Sequence, residues 1–351
     1  MADQSEATFV FTYDQDDFHF NSSSSASKFD EEVMKRWDNA MDSGCFKYNL
    51  NSVERRIIPG KYNFVAQLNE KRFTQRRAPQ SITSLKQPYN SEKFNFTKIP
   101  KKEVLLSLCG RKDESLGGNI VVINVSPLEY GNILFVPDVD GQFPQVLTER
   151  AIRLSLEMVL LSGKRDFRVG FNSLCAFASV NHLHLHAFYT PYRLPMESVG
   201  VSCICDGLYE TVDYPITAFV FECFDSKHIL TVASQIYKVT SYLHNNELAH
   251  NVFFTRGQRL SDRNNFLTDV THTLSDTLRI FIWVRKPSSG VKNENVFNIA
   301  VCELGGFLPI RERTWYENMT EKEVCEKLES AALDRERYEK IRKDISQLVQ
   351  K

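Results

Sequence analysis

One stretch constrains this chain more than any other: Asn181-His182-Leu183-His184-Leu185-His186-Ala187-Phe188. Side chains alternate between the two faces of a β-strand. A strand over 182–189 would therefore put His182, His184 and His186 on one face and Leu183, Leu185 and Ala187 on the other. The leucine face needs a core to cover it, so the segment predicts a sheet packed by helices on one side. Three imidazoles collected on the opposite face serve either metal binding or phosphoryl transfer.

Around this segment the pattern predicts an α+β protein. Phe29, Val33 and Trp37 recur at i, i+4, i+8, which predicts a helix over 28–42. Ala151, Leu154, Met158 and Leu161 predict a second helix over 148–161, with Thr148 as its N-cap. Apolar runs at 104–109, 120–125, 133–136 and 168–172 read as strands, and Pro127-Leu128-Glu129-Tyr130-Gly131 reads as a hairpin turn. Farther on, 218–222, 252–255, 280–285 and 297–302 read as strands and 229–243 as a helix. Thr320-Glu321-Lys322-Glu323 is a capping-box pattern opening one long charged helix. Polar stretches at 256–276 and 287–293 read as exposed loops. The basic, turn-rich stretch 56–103 suits an extended arm. Strands preceding helices in both halves suggest an antiparallel sheet with helices packed outside. The domains read as a mobile acidic segment over 1–27, in which Phe9–Phe11 can form a short strand, a half over 28–200 carrying the histidines, and a degenerate half over 201–351 without them.

The formal net charge of this 351-residue chain is −1. No global field then favours nucleic acid or an anionic membrane, and an anionic ligand must be held by local Arg, Lys and backbone N–H groups. No run approaches the roughly 20 apolar residues that span a bilayer. Met1-Ala2-Asp3-Gln4-Ser5-Glu6 lacks the features of a secretory signal. Eight scattered cysteines without a C-x-x-C pair suit reduced thiols in the cytoplasm.

The loop ahead of the histidines tips the balance between the two chemistries. A metal site would leave it unconstrained. Yet Gly170-Phe171-Asn172-Ser173-Leu174-Cys175-Ala176-Phe177-Ala178-Ser179-Val180-Asn181 is small, polar and suited to phosphate. His182-x-His184-x-His186 resembles the histidine-triad motif. Asn172 and Ser179 stand where the galactose-1-phosphate uridylyltransferase branch of that superfamily keeps an Asn and a Ser. A longer match is closer still. Ile58-Pro59-Gly60-Lys61-Tyr62, Phe64-Val65-Ala66-Gln67-Leu68-Asn69-Glu70, Phe94-Asn95-Phe96-Thr97-Lys98, Phe171-Asn172-Ser173-Leu174, Asn181-His182-Leu183-His184 and Phe297-Asn298-Ile299-Ala300-Val301 resemble the GDP-sugar phosphorylases, in order, from about residue 56 onward.

That resemblance implies a histidine-triad-like fold of two related halves. It also implies phosphorolysis of GDP-D-glucose to D-glucose 1-phosphate and GDP through a GMP-histidine intermediate, with no cofactor and no metal. His184 would be the nucleophile, His182 its orienting neighbour, and His186 a contact of the α-phosphate. Asn172, Ser173 and Ser179 would hold the loop or donate to phosphate. The expected partners are the small molecules GDP-glucose and phosphate, with no nucleic acid and no membrane. Arg76 and Arg77 could grip the diphosphate, or form a solvated basic turn. Phe94 and Phe96 could stack on a base, although core packing suits them better. His19, His228, His244, His250 and His272 read as structural or surface residues. Two positions depart from the pattern. Cys175 stands where a glycine is expected. His186 replaces the Gln of the uridylyltransferases and plant phosphorylases, which favours the animal branch and leaves a water-using hydrolase as the alternative.

Overall fold

The computed structural model describes residues 8–21, 25–111, 118–260, 276–288 and 296–351. Its strands are β1 (Val10–Tyr13), β2 (Glu54–Ile57), β3 (Val65–Leu68), β4 (Val104–Gly110), β5 (Ile120–Ile123), β6 (Ile133–Val136), β7 (Phe167–Asn172), β8 (Leu185–Tyr189), β9 (Gly200–Cys205), β10 (Leu208–Val212), β11 (Phe219–Cys223), β12 (His250–Gln258), β13 (Asp276–Val284) and β14 (Phe307–Ile310). The helices are α1 (Lys28–Asp42), α2 (Glu70–Thr74), α3 (Glu149–Leu161), α4 (Ile229–Asn245), α5 (Val301–Leu304), α6 (Arg313–Asn318), α7 (Glu321–Glu329) and α8 (Arg335–Val349). His272 and most of the two predicted loops, 256–276 and 287–293, lie outside the described residues.

Eleven strands form one sheet in the order β1-β4-β5-β6-β8-β7-β12-β13-β11-β10-β9. Every pairing in it is antiparallel except β1 with β4. The seam between the two halves is β7 against β12, with Asn172 opposite Asn251. Helices cover one face. Phe29, Val33 and Trp37 of α1, the apolar stripe of α3, Ile236 of α4 and Ile345 of α8 share one buried core there with Leu183, Leu185 and Ala187. Thr148 caps α3 by accepting from the Ala151 N–H.

The other face is covered over the second half by a small sheet in the order β14-β3-β2. Its presence corrects two expectations. Residues 64–68 are not part of an exposed arm. Phe64, Val65 and Ala66 are fully buried, because β3 pairs in parallel with β14, Val65 opposite Phe307. Residues 297–302 are not a strand either. They form a loop running into the short helix α5, and the strand follows at β14. The predicted C-terminal helix divides into α7 and α8. Thr320 and Glu323 do form the capping box, but the chain breaks at Ser330–Asp334 so that both pieces can bury an apolar side.

Candidate active site

A further correction falls on the histidines. The strand begins at Leu185, so His182 and His184 lie in irregular backbone ahead of it. Alternation of the side chains survives nevertheless. Leu183 and Leu185 enter the helix-side core, while His184 and His186 line a pocket on the opposite face. Other walls come from the arm after β3 (Arg72, Arg76, Arg77, Phe94), from the β5–β6 turn (Asn124, Ser126), from the end of β7 (Asn172), from Ser179, and from the segment around α5 (Asn298, Cys302, Glu303).

The hydrogen bonds assign the ring protons. His184 Nδ1 lies 2.7 Å from the His182 carbonyl oxygen. A carbonyl only accepts, so Nδ1 carries the hydrogen and Nε2 of the neutral ring keeps its lone pair. At His182 the order is reversed. Its Nδ1 accepts from the Phe96 N–H at 3.0 Å, which puts the proton on Nε2. Burial pushes the His182 imidazole down to about 4, so it stays neutral through the physiological range. The Phe96 ring packs against both histidines, 5.6 Å from His182 and 5.0 Å from His184 between centroids. His186 sits 5.4 Å from His184.

Asn172 is fixed with equal clarity. Its Oδ1 accepts from Asn251 Nδ2 at 2.6 Å and from the Val301 N–H at 2.9 Å. The backbone donor settles the amide orientation and leaves the NH2 as the group offered to the pocket. Ser179 lines the pocket as well. Ser173 does not. Its hydroxyl donates to the Leu174 carbonyl and accepts from the His250 N–H, so it ties the loop to β12. Cys175 adopts φ +58°. The left-handed turn expected of a glycine is therefore kept by a cysteine, at a cost of roughly 1–2 kcal/mol. His250 is buried, its Nδ1 donating to the Leu248 carbonyl, which makes it a structural residue.

The two arginines differ in kind. Arg77 forms an ion pair with the largely buried Glu103 and lies 4.8 Å over the Phe94 ring, so its charge is compensated. Arg76 is held below the usual guanidinium range, first by burial and then by repulsion from Arg72 and Arg311. Arg72 and Arg76 both line the pocket, so cationic charge is gathered at one wall, an arrangement that suits an anion. Arg72 carried no separate sequence signal beyond its basic turn. Asn298 lies in one of the quoted motif blocks, and its buried Oδ1 has no hydrogen-bond donor among the described residues. Gln145 had no local signal at all. It is buried, and its carboxamide bonds the Asn172 carbonyl and both backbone groups of His184.

Comparison with known proteins adds relatives to this geometry. The family description "GDPGP1-like, N-terminal domain" matches residues 28–188, and "GDPGP1-like, C-terminal domain" matches 200–351. The chain is 39% identical over 347 residues to GDP-D-glucose phosphorylase 1 of Danio rerio, an alignment spanning 96% of this chain and 97% of that protein. It is 40% identical over 306 residues to the Homo sapiens protein of the same name, spanning 84% of this chain and 77% of the other. The crystal structure of yeast Ap4A phosphorylase Apa2 shares the fold, with a TM-score of 0.60, 12% identity, and coverage of 88% of this chain and 96% of that one.

Proposed function

The chain belongs to the GDPGP1-like family of GDP-sugar phosphorylases, and from that premise we propose that it converts GDP-D-glucose and inorganic phosphate to D-glucose 1-phosphate and GDP. One observation carries the mechanism: the His184 Nδ1–H is bound to the His182 carbonyl, which makes Nε2 the nucleophilic nitrogen at the pocket wall. Nε2 attacks the α-phosphorus. The P–N bond forms, the bond from phosphorus to the bridging oxygen breaks, and glucose 1-phosphate leaves with that electron pair. The retained Nδ1–H, held by a carbonyl, stabilises the positive ring of the GMP-histidine adduct and keeps it a good leaving group. A phosphate oxygen then attacks the same phosphorus, the P–N bond breaks, and the electron pair returns to Nε2. Two in-line displacements give retention at phosphorus.

The Asn172 NH2 and the Ser179 hydroxyl suit donation to the α-phosphate oxygens, with His186 beside them. Arg76, flanked by Arg72 and Arg311, suits the incoming phosphate. Asn298 Oδ1 suits a substrate N–H or hydroxyl. All eight cysteines are free thiols, which supports a cytoplasmic enzyme. Among the described residues no helix is long and apolar enough to cross a membrane.

The test is the nucleotide product as phosphate is raised from zero. GDP should replace GMP almost completely at millimolar phosphate, with glucose 1-phosphate formed in equal amount. GMP persisting as the main product at saturating phosphate would make the chain a hydrolase.

A further inference from the structure

The ladder between β7 and β8 stops early, and the reason lies outside both strands. Its register pairs Phe167 with Tyr189, Arg168 with Phe188, Val169 with Ala187 and Gly170 with His186. Each pair sums to 356, so the next residues in line are Phe171 with Leu185 and Asn172 with His184. The last of these would face each other directly in a continued ladder. Instead the Gln145 carboxamide occupies the gap between them. Gln145 Nε2 donates to the Asn172 carbonyl and the His184 carbonyl, each at 3.0 Å, and Oε1 accepts from the His184 N–H at 2.9 Å. One side chain replaces the missing ladder bonds. The Gln145 backbone N–H also donates to Asn181 Oδ1 at 2.9 Å, which pins the start of the histidine turn. Leu183 N–H is bound to the Phe143 carbonyl two residues upstream. The segment that delivers Gln145 is itself constrained, since Asp138 and Gln142 both adopt left-handed backbone at φ +48° and +50°.

We propose that Gln145 is the positioning residue of this site. It wedges β7 and β8 apart, so that the Asn172 amide and the His184 ring face one substrate instead of pairing with each other. It also holds the 181–184 turn in the shape that brings the His182 carbonyl to His184 Nδ1. Gln145 touches no reacting atom, and its effect is transmitted through the placement and tautomer of the nucleophile. The catalytic part of this assignment rests on the GMP-histidine mechanism above.

Gln145→Leu keeps the volume and removes every side-chain hydrogen bond. Gln145→Glu keeps an acceptor for the His184 N–H and loses the two donors. In both variants the rate of GMP-adduct formation, measured by rapid quench and denaturing mass spectrometry without phosphate, should fall about 100-fold per folded molecule. KM for GDP-glucose should stay within about threefold of wild type, because misplacing the nucleophile acts on the transition state more than on the bound ground state. Adduct formation at the wild-type rate in the folded variants would overturn the assignment. Should Gln145→Leu not fold, Gln145→Glu decides. A second measurement needs no substrate: the imidazole 15N spectrum, with His184 assigned by its loss in His184→Ala. Wild type should show a single tautomer with the proton on Nδ1, and the Gln145 variants a mixture. An unchanged single tautomer in the variants would sink the wedge. A wild-type enzyme that forms no adduct would instead sink the mechanism, and the tautomer result would still judge Gln145.

Discussion

At His184 a single hydrogen bond fixes the ring proton on Nδ1, and the proposed role of Nε2 as nucleophile follows from that assignment. His184→Asn should abolish turnover while leaving the melting temperature close to wild type, and mass spectrometry should lack the GMP adduct expected of the parent; robust turnover in this variant would remove His184 from the mechanism. The same bonds argue against a metal held by all three rings. The one lone pair of neutral His182 is already engaged by the Phe96 N–H, so the trio cannot supply three ligands. Chelator-treated enzyme is expected to keep its activity, and activity restored only by added zinc would contradict that expectation. Arg76 and Arg77, adjacent in sequence, should separate by experiment. Arg76→Gln removes a cation from the pocket wall, so KM for phosphate should increase at least about tenfold. Arg77→Ala leaves Glu103 buried without its partner and should cost about 1–3 kcal/mol of stability in denaturant titration.

Among the elements, α1 depends on one carboxylate. Asp30 is fully buried in its first turn and accepts from Ser27 N–H and hydroxyl, Ser162 hydroxyl, Gly163 N–H and Tyr189 hydroxyl. It thus ties the N-terminus of α1 to the end of α3 and to the last residue of β8. Asp30→Ala should lower stability by about 3–5 kcal/mol, because five donors, three of them buried, lose their acceptor; a loss under 1 kcal/mol would show that water replaces it freely. Elements of this sort differ in how plainly the sequence announces them. α1, α3 and β4 to β7 follow from local periodicity, since each buries one face against neighbours close in the chain. The short strand expected near Phe9–Phe11 is β1, and the Pro127–Gly131 turn joins β5 to β6 as expected. The start of β8 was not legible, because the interruption comes from Gln145, a residue 39 positions away from His184. β3 and β14 were missed for a related reason. Each is a four-residue strand whose burial depends on the other, and no local pattern reports a partner so far along the chain. Of the site, the histidines, Asn172 and Ser179 could be named from motif positions. Gln145 and the third arginine, Arg311, are products of topology alone.

For the molecule as a whole, the two buried neutral histidines set an acid limit. His182 and His250 are each pushed by burial down to about 4, whereas in the unfolded chain such rings protonate near 6.5. Above pH 6.5 neither state takes up the proton and stability is full. As pH falls from 6.5 toward 4 the unfolded chain gains protons that the folded one refuses, so stability declines by about 3 kcal/mol per ring. Urea titrations at pH 7.5 and 4.5 should show that decline, and it should shrink by about half in His250→Gln; equal midpoints at the two pH values would contradict it. The parallel pairing of β3 with β14 bears on the enzyme before it is finished. Val65 meets Phe307 across 242 residues of chain, and the pocket is lined both by Arg72 and Arg76 just after the first strand and by Asn298 and Pro309 around the second. On the ribosome, then, the histidines, Arg72 and Arg76 emerge long before the wall that completes their pocket. A nascent chain therefore has no complete pocket until residue 310 leaves the exit tunnel, so on the proposed mechanism turnover begins only once the last strand is in place.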